Sequence, residues 1–388
     1  SIAAELSWEA FTQRWAELVE VYEQQVPLTE STDTDKLFKI AFVQEERLAD
    51  PTAAIDTYSR IVESTPDDLR ALRSLERLYH VRSEWSKLAE VLRRQLGLVD
   101  EEETKVELLH TLGELLADEL SDRDAAIDAL EEVLGLDPNH RPTALALELH
   151  LAEEGDHQPR VALLLEPIYE RAEDDAKLAN ALEVLLAAQL AAAEDDEVDE
   201  GARQLLRRLQ SLYDKRLANQ ARARWAAEKL FAADPADEQA RADLARLADD
   251  TGKQEIFAQA VEAALGRLDE EDTGLELALR WDLAKILDEP LSRAEEAEEH
   301  ARRIIELDPT HGDAYGLLER ILRDKGKWME LREVLQQRLD LSESADDKRY
   351  ILGQICALNE DVLGDEGAAI AAYEQMLVLE PSDDEAVR

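Results

Sequence analysis

The sequence predicts an all-α array of antiparallel helical hairpins, and three observations carry the prediction. The phrase "AIDTYSRIVESTPDD" (Ala54–Asp68) returns near the end of the chain as "AIAAYEQMLVLEPSDD" (Ala369–Asp384). Pro66, Pro138, Pro235, Pro309 and Pro381 follow one another at intervals of 72, 97, 74 and 72 in the numbering, and Ala54, Ala126, Ala223, Ala297 and Ala369 each stand twelve positions before one of them. The dominant residues, Ala, Leu, Glu and Arg, are good helix formers, whereas Gly (14) and Pro (11) are few.

The chain has 388 residues, enough for two or three domains or one long array. At 45% hydrophobic it can build a core. Its net charge of −46 excludes ready binding to nucleic-acid backbones or anionic membrane surfaces, which it would repel. The same charge favours basic or neutral partners. The bias toward Arg and Ala points to a GC-rich, bacterial genome. The single cysteine, Cys356, forms no internal disulfide and points to a reducing, cytoplasmic setting. The longest apolar stretch, Ala181–Ala193, is interrupted by Glu183 and Gln189 and is too short to span a membrane.

The elements follow in order. Trp15 opens the phrase "RWAELVEVYEQQV", which recurs as "EWSKLAEVLRRQL" at Trp85 and "KWMELREVLQQRL" at Trp328. Trp85 and Trp328 each lie nineteen positions after a marker proline, and the matching slots after Pro138 and Pro235 hold His157 and Gln254. Each marker proline stops a helix, because it lacks an N–H and disfavours α geometry in the residue before it. The polar residues after it can cap the next helix. Between alanine and proline lie apolar residues at helical spacing, such as Tyr58, Ile61 and Val62. Thirteen positions before four of the alanines stands another small residue: Ala41, Gly113, Ala284 and Cys356. In the third period Ser211, twelve before Ala223, takes that part. Small facing small is what a tight helical hairpin needs. The long period carries extra chain between Ala176 and Arg216, twenty-five positions more than its neighbours. "EDDEVDE" (Glu194–Glu200) reads as a solvated loop, with Lys177–Ala192 as an added helix and Gly201–Lys215 as the first helix of the next hairpin, or with the two helices in the reverse roles. This places a division into blocks 1–193 and 194–388. The repeating phrases run past both ends, so the chain is expected to be part of a longer array.

A long period that holds two hairpins resembles the tetratricopeptide repeat family, with its W-x2-L-G-x2-Y, A-x3-F and P pattern. Ala54, Tyr58 and Pro66 match its second half, as do Ala369, Tyr373 and Pro381, and Thr111–Gly113 matches the Leu-Gly pair. The resemblance implies a right-handed superhelical solenoid whose first helices line a concave groove that takes protein partners. Glu76 and Glu319 stand where the family has its small glycine, so looser packing is expected in those hairpins.

No motif for nucleotide, zinc or redox chemistry is present, and no catalytic residue, cofactor or metal is expected. His150, Glu153, Glu154 and His157 come nearest to a ligand set, but their ordinary reading is a solvated turn, since Gly155 ends the helix there. Cys356 reads as a small packing residue. Trp15, Trp85 and Trp328 read as structural, while Trp8, Trp225 and Trp281 lie off their register and offer an exposed partner anchor. The expected binding residues are Arg70, Arg73, Arg77 and His80, one stripe of a helix, with Arg246 and Arg320. Arg77, Arg246 and Arg320 all lie eleven positions after a marker proline, where the second period has Leu149. The opposing reading of this row is a solvated face balancing acidic neighbours. The expected function is a protein-interaction scaffold for a basic peptide or protein. The alternative is a regulatory arm of a larger multidomain enzyme. Self-association through the repeat ends is a further expectation.

Overall fold

In the computed structural model, residues 2–26, 34–193, 198–268 and 272–379 are described, with side chains from Thr12 onward. All regular structure among them is helical. Pro381, the Trp8 side chain and Glu194–Glu197 of the acidic run, beside the boundary expected near residue 194, fall outside the described residues. The chain divides into two compact units, Ser1–Ala188 and Gln189–Arg388.

The first unit opens with α1 (Ile2–Gln25). The hairpins α2 (Thr34–Glu46) with α3 (Pro51–Ser64), α4 (Leu69–Val81) with α5 (Trp85–Leu96), α6 (Glu102–Asp118) with α7 (Arg123–Leu136), and α8 (Arg141–Ala152) with α9 (Gln158–Ala172) follow. Helix α10 (Asp175–Ala192) crosses the division. The second unit holds α11 (Glu200–Lys215) with α12 (Gln220–Ala233), α13 (Glu238–Asp250) with α14 (Gln254–Leu265), α15 (Thr273–Asp288) with α16 (Ala294–Leu307), and α17 (Gly312–Asp324) with α18 (Trp328–Leu341). It closes with α19 (Ala345–Ala357), a π-helical turn (Leu358–Leu363) and α20 (Glu366–Leu379).

The marker alanines sit where the helices of a hairpin cross. Ala54, Ala126, Ala223 and Ala297 are fully buried and Ala369 nearly so. Contacts between positions thirteen apart recur. A Cβ on Gly113 would lie 2.9 Å from Leu130 Cδ2 and 3.5 Å from the Ala126 carbonyl oxygen. The Cys356 thiol lies 3.9 Å from the Ala369 carbonyl oxygen. Thr57 donates to Gln44 at 2.7 Å, and Tyr373 to Glu360 at 3.1 Å. The third period departs from expectation. Ser211 is exposed, and the position thirteen before Ala223 holds the half-buried Gln210, because Leu209 and Leu212 take the buried face of α11.

The turn inside each of these hairpins repeats as closely. Ala49, Ser121, Ala218, Ser292 and Gly364, each five positions before a marker alanine, all have φ between 50° and 65°. The next residue's N–H bonds six positions back in every case: Asp50 to Gln44, Asp122 to Leu116, Asn219 to Tyr213, Arg293 to Leu287 and Asp365 to Asn359, at 2.7–2.9 Å. This bond is one residue wider than the 6→1 bond of a Schellman C-cap, and the left-handed residue lies immediately before its donor. In four of the five turns the same next residue also caps the second helix. Asp50, Asp122, Asn219 and Asp365 accept from backbone N–H groups two or three positions on. One residue thus ends a helix and starts its partner.

The other hairpins use a different contact. Glu76 accepts from Gln95 at 2.6 Å and Glu319 from Arg338 at 2.8 Å, both at the same separation along the chain. Glu319 is 5% exposed. The glutamates therefore bridge their hairpins by hydrogen bonds where the other hairpins bring small residues together.

Three substitutions test this geometry by thermal or urea unfolding. Ala126→Leu should overpack the crossing and cost about 1–3 kcal/mol, whereas Gly135→Ala, with open space around its Cβ, should cost nothing. An Ala126→Leu protein as stable as the parent would overturn the hairpin register. Ala218→Gly should stabilise by about 1 kcal/mol by relieving a left-handed residue of its Cβ; a loss of stability would contradict the turn described.

Candidate partner-binding groove

The expected arginine row can be placed residue by residue. Arg70, Arg73, Arg77 and His80 all lie exposed along one face of α4 in the first unit. Arg246 on α13 and Arg320 on α17 belong to the second unit. Arg70 bonds Asp68 at 3.1 Å and lies over the Phe38 ring, 4.5 Å from its centroid. His80 meets Trp85 edge-on with centroids 5.7 Å apart. Arg73 has no ion-pair partner among the described residues.

The three register-matched arginines share one arrangement. Each reaches an acidic residue at one constant offset earlier in the chain, on the first helix of the preceding register-matched hairpin: Arg77 to Glu45 on α2, Arg246 to Asp214 on α11 (2.6 Å), and Arg320 to Asp288 on α15. The carboxylates are tucked in, with side chains 10%, 17% and 9% exposed, while the arginines are 56%, 45% and 46% exposed. Arg246 also meets Asp243 and Asp250, and Arg320 meets Glu289. The hydrogen bonds to Glu45 and Asp214 hold the Arg77 and Arg246 guanidinia more firmly protonated than usual. These pairs brace one first helix to another, and they leave guanidinium surface facing solvent. The acidic half of the brace was missed in the sequence; its signal was the constant offset between acid and arginine.

The second period breaks the pattern at both positions. Leu149 replaces the arginine and Ala117 the acid. Both line an open cleft of about 1090 Å³ between α6 and α8. A second cleft, of about 720 Å³, lies between α13 and α15 and is lined by Arg241, Asp282 and Lys285 among others. In it Arg241 pairs with Asp282 at 3.0 Å.

The histidine turn differs from the solvated turn expected. His150 and His157 are both 9% exposed. The His157 Nε2 donates to the His150 carbonyl at 2.8 Å, tying the end of α8 to the start of α9. Glu153 is engaged by Arg123. Among the described residues no group of three or more His, Cys, Asp or Glu is placed to hold a metal ion. Burial lowers the His110 and His150 imidazole pKa values.

Of the tryptophans, Trp85 and Trp328 are the first residues of α5 and α18. Trp225 and Trp281 are half-buried rather than exposed. Arg222 lies over the first, while Lys285 and the His311 ring pack on the second. Both are therefore partly covered, Trp225 by a neighbour on its own helix and Trp281 also by the residue that caps α17.

Two measurements check this account. Arg320→Met should leave the tucked Asp288 carboxylate poorly partnered and cost about 1 kcal/mol, the pair being half solvated. Adding Asp288→Asn should recover part of it; a single variant of unchanged stability would mean that the brace contributes nothing. By NMR titration, His110 and His150 should remain mostly neutral at pH 6.5, the ordinary histidine pKa; a midpoint above that value would contradict their burial.

Family models of the tetratricopeptide repeat match three segments, one at residues 106–140 and the other at residues 71–106 and 314–349. These hold the hairpins α6/α7, α4/α5 and α17/α18. No curated protein matches the chain. Among solved structures, one of Naa15/Naa10 bound to HypK-THB aligns at 17% identity, covering 95% of this chain and 56% of that one, with a TM-score of 0.31. The tetratricopeptide domain of P58(IPK) aligns at 13% identity over 92% and 95%, with a TM-score of 0.23. A tetratricopeptide repeat protein from Parabacteroides merdae aligns at 14% identity over 74% and 98%, with a TM-score of 0.25. Three segments of the chain, lying in both of its compact units, are thus matched as tetratricopeptide repeats.

Proposed function

We propose that the chain is a protein-interaction scaffold that binds a peptide or protein partner along the exposed face of its first helices. The observation that supports this most directly is the row of half-exposed guanidinia at one register of that face. Each is anchored by a tucked carboxylate, so its direction is set before a partner arrives. A guanidinium has five donors, and Arg77 commits part of them to Glu45, leaving the rest for a partner's carboxylate. The stripe Arg70, Arg73, Arg77 and His80 on α4 is the favoured contact in the first unit, with Arg246 and Arg320 in the second.

The net charge of −46 acts at longer range. It favours a partner that is basic overall and raises its encounter rate over a Debye length of roughly 8 Å at physiological salt. The arginines then orient it through an acidic group at contact. A cytoplasmic setting accords with the lone buried Cys356. No helix among the described residues is long and apolar enough to cross a membrane.

The test is a binding titration. A partner captured from an extract of the source cell should bind the Arg77→Gln/Arg320→Gln protein about thirtyfold more weakly, each contact contributing on the order of 1 kcal/mol, with the helical circular dichroism unchanged. Affinity unaffected by that double change would return the arginines to a purely bracing role.

A further inference from the structure

The α6–α8 cleft is where the repeated brace is absent, and what replaces it is apolar. Ala117 and Leu149 stand at the positions held by an acid–arginine pair in the other three periods. One turn before Leu149 on α8 stands Leu145, where the first period has Arg73. Leu145 and Leu149 are 51% and 72% exposed and line the same cleft. In a chain of this charge, two large aliphatic side chains one turn apart in an open concavity form a surface that gains by being covered.

The rim of the cleft is acidic. Glu148 accepts from Lys177 and Tyr169, and Glu153 is engaged by Arg123. Glu114 has only a 3.5 Å approach from His110 and is 57% exposed. Asp118, one turn further along α6, is exposed and has no ion-pair partner among the described residues. Glu114 and Asp118 are therefore left to meet an incoming cation beside the apolar floor.

We propose that this cleft is a specificity pocket for one bulky apolar side chain, such as Leu, Ile, Met or Phe, on a peptide that carries Lys or Arg close to it. Charge complementarity with Glu114 and Asp118 selects this occupant over an acidic or neutral one. The proposal rests on the groove-binding reading above and names the partner chemistry at one position in it.

The test uses short random peptides displayed on phage and selected on the full chain, then synthesised with a fluorophore for anisotropy titration. The selected peptides should carry a bulky apolar residue with Lys or Arg beside it. Ala117→Glu/Leu149→Arg, which installs the brace found in the other periods, should weaken their binding about tenfold or more. Leu145→Asn/Leu149→Asn, which alters only exposed side chains, should do the same with circular dichroism unchanged. Glu114→Lys/Asp118→Lys should weaken binding most at low salt, where exposed charges are least screened. Selected peptides that lack the apolar–basic pairing, or that bind both cleft variants unchanged, would overturn the pocket. If those peptides still lose affinity with Arg77→Gln/Arg320→Gln, the groove reading survives without it. Indifference to every one of these variants, or no enrichment at all, would remove both. Self-association of the parent chain that disappears in Ala117→Glu/Leu149→Arg would assign the cleft to a second copy and overturn the peptide proposal.

Discussion

The close crossing of two helices at a small-residue register is the constraint on which the rest of the structure depends. Two helices can approach this nearly only if the facing residues have almost no side chain, as at Gly113 and Ala126, or if the side chain is soft and compact, as at Cys356 and Ala369. The chain must also reverse within a few residues to bring them together. It does so by placing one residue in the left-handed region, at a cost of about 1–2 kcal/mol when that residue carries a Cβ. The cost is offset by the backbone bond that closes the turn and by the capping side chain that follows it. A hairpin built this way still has an apolar face it cannot cover alone, so stacking follows from the hairpin itself.

Stacking in turn decides where charge can go. A chain with 90 acidic and 44 basic residues has too few cations to neutralise its surface. At the register described, arginines are committed to carboxylates that the stacking has partly desolvated. An exposed ion pair is worth little, but a tucked carboxylate without a partner is expensive. The brace is therefore best seen as removing a penalty that close packing of the first helices creates. It also leaves part of each guanidinium facing solvent.

Against that regular row, the second period is informative because both members of the pair change together. Losing only the arginine would strand an acid, and losing only the acid would strand an arginine. Ala117 and Leu149 avoid both and leave an apolar stretch in the cleft between α6 and α8.

Much of the fold was legible in the sequence because proline and alanine act through steric properties that hold in any context. Proline followed by polar residues ends a helix at the marker positions, although Pro167 lies inside α9, and alanine permits close approach wherever two helices meet, so the period and the hairpin pairs could be read directly. The arginine row was legible as a register. Its meaning was not, because the partners stand on a different hairpin and meet only through the offset between stacked hairpins. The left-handed turn residues were hidden for a related reason: only Gly364 is a glycine, and Ala49, Ser121, Ala218 and Ser292 adopt the same conformation because the turn's bonds impose it. Tertiary packing also decided that Ser211 faces solvent, that Trp225 and Trp281 are partly covered, and that His157 ties α9 to α8. Sequence by itself determined which helices form and where they stop, since those choices are local. Which side chains face one another across the stack was decided only by the tertiary structure, because it depends on how far each hairpin is shifted along the next.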